Sequence, residues 1–546
     1  MTAAPPLPPG RSAARGDANP SRRAVAMGTP LAIGFAAAGG AAFADPGAPV
    51  AVTGQGRVSG GVDQGVLVFK GIPYGADTTG RRFLPPQPPA PWEGVRPTLG
   101  FGPASPQTSA PGPMSEDCLC LNVWTPALAD GGRRPVMVYI HGGAHAHGSG
   151  SDPTYDGVAL VRRGDVVVVT LNHRLNAFGY LYLARLGGAD LAASGNVGGL
   201  DLVLALQWVR SNIAAFGGDP GRVMVFGQSG GGDKVGTLMG APAADGLFHR
   251  AATMSGQAIT ASGPIHATQR ARAILAALGL KPDQVDALRT LPADRLLAAT
   301  ESVDPVLRKG PIFFGPVLDQ VVLPRHPFYP DAAPRSAAIP MIVGNTHDET
   351  RGLLHDPRNF ALTWDDLPAR LEADMLSDLS PEYVVARYRQ LYPAYGPSDV
   401  FFAATTAGRS MRGHLIVAEQ RARQAALTGS APTWMYQLDF RSPAEGGRLG
   451  AFHTLDIPLV FGNLDKPGAL TGTASDARAA SAAMSRAFIS LARHGDPAAD
   501  GGPPWPHYDL ARRATMIFDA VSRVADDPRG EERRLFEAVP YIKPGT

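Results

Sequence analysis

The run Gly227-Gln228-Ser229-Gly230-Gly231 is the segment of the sequence best suited to covalent chemistry. It fits the pattern Gly-x-Ser-x-Gly, in which a serine on a sharp turn acts as a nucleophile. Glycines are needed because larger side chains would clash in such a turn, and the serine backbone is expected to be strained. Chance matches to this pattern are expected in a chain with 65 glycines. The elements on either side of the run must therefore decide whether the match is functional.

The segments on either side of this run have the patterns of a buried strand and a helix. Residues 222–226 are a mostly apolar run, and a helix is expected from about Gly231. A hydroxyl at a helix N-terminus lies where the helix dipole favours negative charge. We therefore predict that Ser229 is a nucleophile, and an ordinary glycine-rich turn is the alternative.

A second glycine-rich segment, residues 141–144, follows the apolar run 135–140. Small residues allow backbone N–H groups to converge on a carbonyl oxygen that gains negative charge during acyl transfer. His141 is interpreted as a structural residue of this loop rather than a base. The donors of the predicted oxyanion hole are the N–H groups of Gly143, Ala144 and Gly230.

The order of elements predicts an α/β fold. Continuous apolar runs at 135–140 and 165–171 suit strands buried on both faces of a mostly parallel sheet. Between residues 199 and 216 the apolar spacing changes to that of an amphipathic helix. We expect a single catalytic domain over 45–546, with helical cap segments near 262–310 and 355–435.

Composition indicates a globular chain with a large core and excludes some partners. The chain has 546 residues, of which 44% are hydrophobic and 18% charged, and its net charge is +2. No stripe of basic residues indicates binding to nucleic acid or to an anionic membrane surface, and stable membrane insertion is not expected. The sequence leaves the oligomeric state open.

The N-terminal segment resembles an export signal. Ser21-Arg22-Arg23 precedes a weakly apolar stretch and the small-x-small site Ala42-Phe43-Ala44, which predicts a twin-arginine signal over residues 1–44 and export to the periplasm or beyond. The alternative is a true start at Met27 and a cytoplasmic protein.

Cys118 and Cys120, two apart in an apparent strand, are interpreted as free buried thiols, with a redox pair as the alternative.

Several motifs spread along the chain resemble the type-B carboxylesterase/lipase family, the cholinesterase-like α/β-hydrolases. The resemblance covers roughly residues 50 to 535 and implies an α/β-hydrolase fold that hydrolyses small carboxylic esters through an acyl-enzyme, without a cofactor. The motifs are Phe69-Lys-Gly-Ile-Pro-Tyr74, Ser115-Glu-Asp-Cys-Leu-Cys-Leu-Asn122, Asn172-His-Arg-Leu175, Gly195-Asn-Val-Gly198, Phe216-Gly-Gly-Asp-Pro220 and Met254-Ser-Gly256.

The resemblance also implies the other two members of a catalytic triad. The run 344–349 matches the family's acid loop and makes Glu349 the carboxylate, while the run 450–453 makes His453 the base. Ser255 matches a serine that bonds the acid, although a turn-capping role is an equal alternative. From the residues alone, the acid and base have competitors: Asp348 for Glu349, and His347, His414 and His494 for His453.

Three positions depart from the family's pattern. Gln228 replaces a glutamate, His145 replaces an aromatic residue, and Ser105 replaces a cysteine that pairs with the one matching Cys118. The loss of a carboxylate at 228 should leave the protonated imidazole less stabilised. His145 and His147 could chelate a metal, but no third ligand is evident, so we expect no metal and interpret His145 as pocket lining.

Two alternatives to an ester hydrolase are retained. An amide, carbamate or lactone hydrolase would use the same chemistry on another bond. A non-catalytic cholinesterase-like binding protein would need neither the serine nor the glycine loop.

Overall fold

In the part of the chain that the structure describes, fourteen strands are present, and eleven of them build one central sheet. The strands are β1 (Val50–Val52), β2 (Arg57–Ser59), β3 (Gly61–Asp63), β4 (Val66–Pro73), β5 (Val95–Pro97), β6 (Cys120–Thr125), β7 (Arg134–Ile140), β8 (Val167–Leu171), β9 (Gly218–Gln228), β10 (Arg250–Met254), β11 (Met341–Thr346), β12 (Thr433–Leu438), β13 (Ala514–Phe518) and β14 (Arg523–Asp526). The sheet order is β14-β13-β12-β11-β10-β9-β7-β8-β6-β4-β3.

The computed structural model describes residues 47–110, 112–541, 543 and 545–546. All of these belong to one compact unit. The export signal predicted over residues 1–44 lies outside the described residues, as does the alternative start at Met27.

The centre of the sheet is parallel, and its edges are antiparallel. The strands from β8 to β13 pair in parallel, whereas β14, β6, β4 and β3 pair antiparallel. Alternate residues of each central strand enter two different cores, as Val136 and Val138 do on one face and Met137 and Tyr139 on the other. The apolar runs seen in the sequence arise because both faces are covered.

Helices cover both faces of the sheet and form the cap segments. They are α1 (Val158–Gly164), α2 (Asn176–Tyr180), α3 (Val197–Asn212), α4 (Gly230–Leu238), α5 (Pro264–Ala277), α6 (Ala293–Thr300), α7 (Glu349–Leu353), α8 (Leu367–Asp374), α9 (Pro381–Leu391), α10 (Pro397–Thr406), α11 (Arg412–Thr428), α12 (Asp456–Phe461), α13 (Ser475–His494) and α14 (Gly530–Glu537). The α5–α6 segment packs in one apolar cluster and the α8–α11 segment in another, apart from the two cores beside the sheet.

Four neighbouring strands end where the predicted functional residues begin. The strands β7, β9, β10 and β11 are adjacent and parallel, so their carboxyl ends meet at one edge, where open α/β sheets place their sites. They lead into the 141–144 loop, Ser229, Ser255 and the loop carrying Glu349, respectively.

Local expectations were met in part. Both thiols are free and buried, as predicted, but β6 begins at Cys120, so Cys118 lies before the strand rather than within it. Among the described residues, one helical stretch, Ala189–Phe216, is long and apolar enough to cross a membrane, and 72% of its apolar window is buried inside the protein. Its hydrophobicity is accounted for by packing against the sheet.

Candidate active site

Ser229 occupies a strained turn between β9 and α4. Its φ and ψ are 56° and −125°, outside the regions that non-glycine residues prefer. The turn is held because the Ser229 N–H donates to the Met254 carbonyl at 2.7 Å, and the Ser229 carbonyl accepts from the Asp233 N–H at 3.0 Å. A partly exposed hydroxyl at the start of a helix is the geometry of a nucleophile elbow.

The glycines around the serine are required by close backbone contacts. A Cβ added to Gly230 would overlap the carbonyl of Ala144, and one added to Gly231 would overlap the carbonyl of Ile140. The elbow therefore packs directly on the end of β7 and on the loop that follows it. No side chain fits between them.

Glu349 and His453 form a buried hydrogen-bonded pair. Nδ1 of His453 bonds Oε2 of Glu349, which is 0% exposed, while the imidazole is 9% exposed. The other carboxylate oxygen accepts from the Ser255 hydroxyl at 2.5 Å and from the Thr346 N–H at 2.9 Å. Burial alone would raise the pKa of Glu349, but the neighbouring imidazole and these hydrogen bonds lower that pKa below its usual value. The carboxylate is thus ionised and fixed in position.

Gln228 contacts both nitrogens of the same imidazole. Its Nε2 is 3.2 Å from Nε2 and 3.4 Å from Nδ1 of His453, and its side chain is buried. The Ser229 hydroxyl makes no hydrogen bond to any residue that the structure describes, although it lines the same cleft as His453. Such contacts often tighten only when substrate is bound.

An open cleft brings Ser229 and His453 together. It holds about 260 Å³ of space that the centre of a water molecule can reach. Its lining combines the elbow, the 141–144 loop, cap residues and residue 543. The lining residues are Ala144, His145, Ser229, Gly230, Asp233, Ser255, Gln257, Phe313, Leu353, Arg409, Ser410, His453 and Lys543.

The 141–144 loop presents unoccupied backbone donors. Gly143 and Ala144 both have positive φ, 80° and 51°. Their N–H groups, and that of Gly230, have no acceptor among the described residues. Ala144 and Gly230 line the cleft beside Ser229, whereas Gly143 is exposed next to Ala144. Free N–H groups at the first turn of a helix and in a left-handed loop can receive an oxyanion.

A buried cluster of basic side chains supports this loop. Nδ1 of His141 bonds the Gly142 carbonyl at 2.9 Å, and the His141 ring stacks on His173 with centroids 4.9 Å apart. Nζ of Lys234 donates to the His141 carbonyl at 3.1 Å. Burial lowers the pKa of His141 to about 3 and that of Lys234 to about 7, so the imidazole is neutral at physiological pH.

His145 lies in the wall of the cleft and is buried. Its Nε2 is 3.6 Å from Oδ2 of Asp233, and its ring meets Tyr180 edge to face. Burial, followed by the charges of Lys234 and Lys543, lowers the pKa of His145 well below its usual value. His147, two residues on, is exposed and does not line the cleft. In the described part of the chain no three His, Cys, Asp or Glu side chains are grouped as metal ligands.

Of the competing acid and bases, Asp348, His347 and His494 have other partners. Asp348 accepts from the Ala451 N–H at 2.9 Å and lies 3.2 Å from His347. His494, at the end of α13, bonds Asp500 at 2.8 Å. His414 is buried on α11, with no hydrogen bond from either ring nitrogen to a described residue.

Several polar groups near the triad were not assigned roles from the sequence. Lys234 is one of them, and its only signal was that it and Asp233 are the charged residues in a run of small and apolar residues after the elbow. Asp456 is another: it is buried three residues after His453, and the Tyr436 hydroxyl donates to its Oδ2 at 2.8 Å. Burial, with help from the charge of Glu349, raises the pKa of Asp456 to about 7.

Comparison with known proteins gives one consistent result. Residues 47–535 match the model of the carboxylesterase family. The chain is 35% identical to a para-nitrobenzyl esterase of Bacillus subtilis (strain 168), over 89% of this chain and 98% of the relative. It is 34% identical to a phenmedipham hydrolase of Pseudarthrobacter oxydans, over 88% and 97%. Among solved structures, a Geobacillus stearothermophilus carboxylesterase, EST55, superposes with a TM-score of 0.78 at 40% identity, over 89% of this chain and 99% of that one.

Proposed function

Because this chain belongs to the carboxylesterase family and is a carboxylic-ester hydrolase, we propose that it acts through an acyl-enzyme on Ser229, with His453 as base and Glu349 as acid. The family and the α/β-hydrolase fold expected from the sequence motifs are confirmed. The observation that supports the triad is the His453–Glu349 hydrogen bond at the edge of the cleft that Ser229 lines.

The proposed reaction begins when His453 accepts the Ser229 proton as the hydroxyl oxygen attacks the ester carbonyl. The tetrahedral intermediate collapses, and the alcohol leaves with the proton returned by His453. Water then attacks the acyl-enzyme with His453 again as base, which releases the acid and restores the serine. Glu349 holds the imidazole by Nδ1 and stabilises its charged form in both halves. None of these steps needs a cofactor.

We assign stabilisation of the negatively charged oxygen of each intermediate to the free N–H groups of Gly143, Ala144 and Gly230. Ala144 and Gly230 support this assignment most directly, since both line the cleft beside the serine. Losing one such donor typically costs about 3 kcal/mol of transition-state stabilisation. His145 is proposed to line this pocket, and Gln228 is proposed to position the base.

The test is the Ser229→Ala variant with a 4-nitrophenyl ester. We expect turnover to fall by roughly four to six orders of magnitude with an unchanged melting temperature. A radiolabelled organophosphate should label the wild type at one site and leave Ser229→Ala unlabelled. Ser410→Ala, which removes another serine of the cleft, is the matched control and should keep the label. Label retained by Ser229→Ala would refute the nucleophile, and an unlabelled wild type would favour the non-catalytic alternative.

An ester and an amide of one acid, together with a carbamate of the same alcohol, distinguish the remaining alternative. Amines are poorer leaving groups than alcohols, so ester hydrolysis should be faster by orders of magnitude. Equal or faster cleavage of the amide or carbamate would assign the enzyme to that bond instead.

A further inference from the structure

Arg409 places a half-buried guanidinium in the lining of the catalytic cleft. It belongs to Ala407–Met411, a π-helical turn between α10 and α11 in the cap. Such turns are rare and cluster at functional sites, because the extra residue redirects side chains at a cost in helix stability. The turn therefore raises the question of what the arginine binds.

The guanidinium has no anionic partner among the residues that the structure describes. Its only hydrogen bond to a described residue runs from Nη1 to the backbone carbonyl of Asp374, at a long 3.4 Å. No carboxylate of the described residues lies within 4 Å, and the carboxylate of Asp374 instead contacts Arg370 at 3.4 Å. Burial lowers the pKa of Arg409, yet a guanidinium remains charged at any physiological pH.

The other charges of the cleft are already balanced. Nζ of Lys543 is 2.8 Å from Oδ1 of Asp233 and also donates to the Thr260 carbonyl at 2.9 Å. His145 is neutral because its pKa is far below the usual value. Glu349 lies behind His453 and does not line the cleft. Among the lining side chains that the structure describes, Arg409 is thus the cation with no carboxylate within 4 Å, although the more distant charge of Asp374 favours it.

We propose that Arg409 binds a carboxylate carried by the substrate, so that the enzyme prefers esters bearing a second, free acid group. This inference rests on the proposed function, since it names the substrate class of the same site. A guanidinium presents parallel N–H donors that match both oxygens of a carboxylate. A partly desolvated cation without a partner gains more from such a pair than an exposed one, because less water competes for it.

Two pairs of esters test the proposal, each with and without the acid. Mono-4-nitrophenyl adipate is compared with 4-nitrophenyl heptanoate, which places the carboxylate on the acyl side. The ester 4-acetoxybenzoate is compared with 4-acetoxytoluene, which places it on the leaving group. The readout is the ratio of kcat/KM for the acid to that for its neutral partner, after subtraction of the rate without enzyme.

The variant Arg409→Met should lower this ratio at least tenfold for one of the two pairs, and Arg409→Lys should lower it less. Arg412→Met is the matched control: it removes a guanidinium three residues away that contacts Glu419 and Glu537 at 3.5 Å and does not line the cleft. Its ratio should equal that of the wild type. An Arg409→Met variant that lowers acid and neutral esters equally, or changes neither, overturns the proposal.

A measurement on the wild type covers the case in which Arg409→Met does not fold. Raising the salt concentration from about 0.05 to about 0.5 M should raise KM for the acid-bearing ester and leave the neutral ester unaffected, because ions screen the pair. Equal salt dependence of both esters would again overturn it. Hydrolysis of neutral esters that disappears in Ser229→Ala supports the proposed function separately, so the two failures are distinguishable.

Discussion

Replacement of Gln228 by glutamate is the most informative single change near His453, the proposed base. The amide nitrogen of Gln228 is 3.2 Å from Nε2 of His453, and the side chain is buried, so a carboxylate here would lie against the imidazole. Glutamate and glutamine have the same shape. The substitution therefore adds a charge while changing the packing very little.

The direction and size of the effect follow from electrostatics. The base works in its neutral form, and a nearby carboxylate stabilises the protonated form, so a higher pH is needed to free the base. Two opposite unit charges 4 Å apart attract by about 4 kcal/mol at an effective dielectric constant of 20. Desolvation of the new carboxylate and the existing charge of Glu349 reduce the net effect. We expect the acidic limb of the pH–rate profile to move up by about one to two pH units, equivalent to about 1.4–2.7 kcal/mol.

The assay is kcat/KM for a neutral 4-nitrophenyl ester between pH 4.5 and 9. Gln228→Met is the control, since it removes the amide contact without adding charge. The limb of Gln228→Glu should lie about one pH unit or more above that of Gln228→Met. At high pH the glutamate variant should be as fast as the wild type, because the imidazolium of the transition state is also stabilised. Coincident limbs for the two variants would refute the reasoning.

Three further changes test the supporting residues. Ser255→Ala removes a 2.5 Å hydrogen bond to Glu349 and should lower kcat roughly tenfold with little change in KM, whereas a fall in KM alone would contradict a positioning role. Gly230→Ala places a methyl group against the carbonyl of Ala144 and should abolish activity in a protein that still folds, as circular dichroism would show. Lys234→Met should raise the melting temperature most below about pH 7 and progressively less up to about pH 10.5. Burial lowers the pKa of this lysine to about 7 in the folded protein, so folding is penalised while the unfolded chain holds the proton. The penalty disappears as the lysine of the unfolded chain also loses its proton. A gain independent of pH would show that Lys234 has the same pKa in the folded and unfolded chain, and would contradict the effect of burial.

The sheet and the tight turn that carries Ser229 could be predicted from local pattern. Apolar runs of strand length and the glycines of 227–231 are local signals, and β7, β9 and α4 formed where those signals lie. The choice between Asp348 and Glu349 could not be made locally, because both follow β11 directly. Adjacent residues at the start of α7 point in different directions: Asp348 turns to the Ala451 N–H, and Glu349 turns to the imidazole. Only the family resemblance distinguished them.

The remaining groups of the cleft depend on contacts between distant parts of the chain. Asp233 and Lys543 are 310 residues apart, and no periodicity or motif links them. Lys234 is buried because α4 packs against the loop after β7. This burial lowers its pKa, and nothing in the local sequence indicates it. Arg409 is one arginine among many in the sequence, and only the three-dimensional arrangement separates it from those that pair with a carboxylate.

The backbone of the elbow packs tightly against the loop after β7, so residues at this contact tolerate little substitution. Residues elsewhere in the wall of the cleft can vary more freely. The proposed oxyanion donors are main-chain N–H groups held by contacts that exclude larger side chains, whereas Arg409 and Ser410 in the wall of the cleft come from the separately packed α8–α11 segment. Laboratory evolution directed at residues 355–435, with residues 227–231 kept intact, should therefore yield enzymes that select different substrates and retain the proposed nucleophile and its surrounding turn.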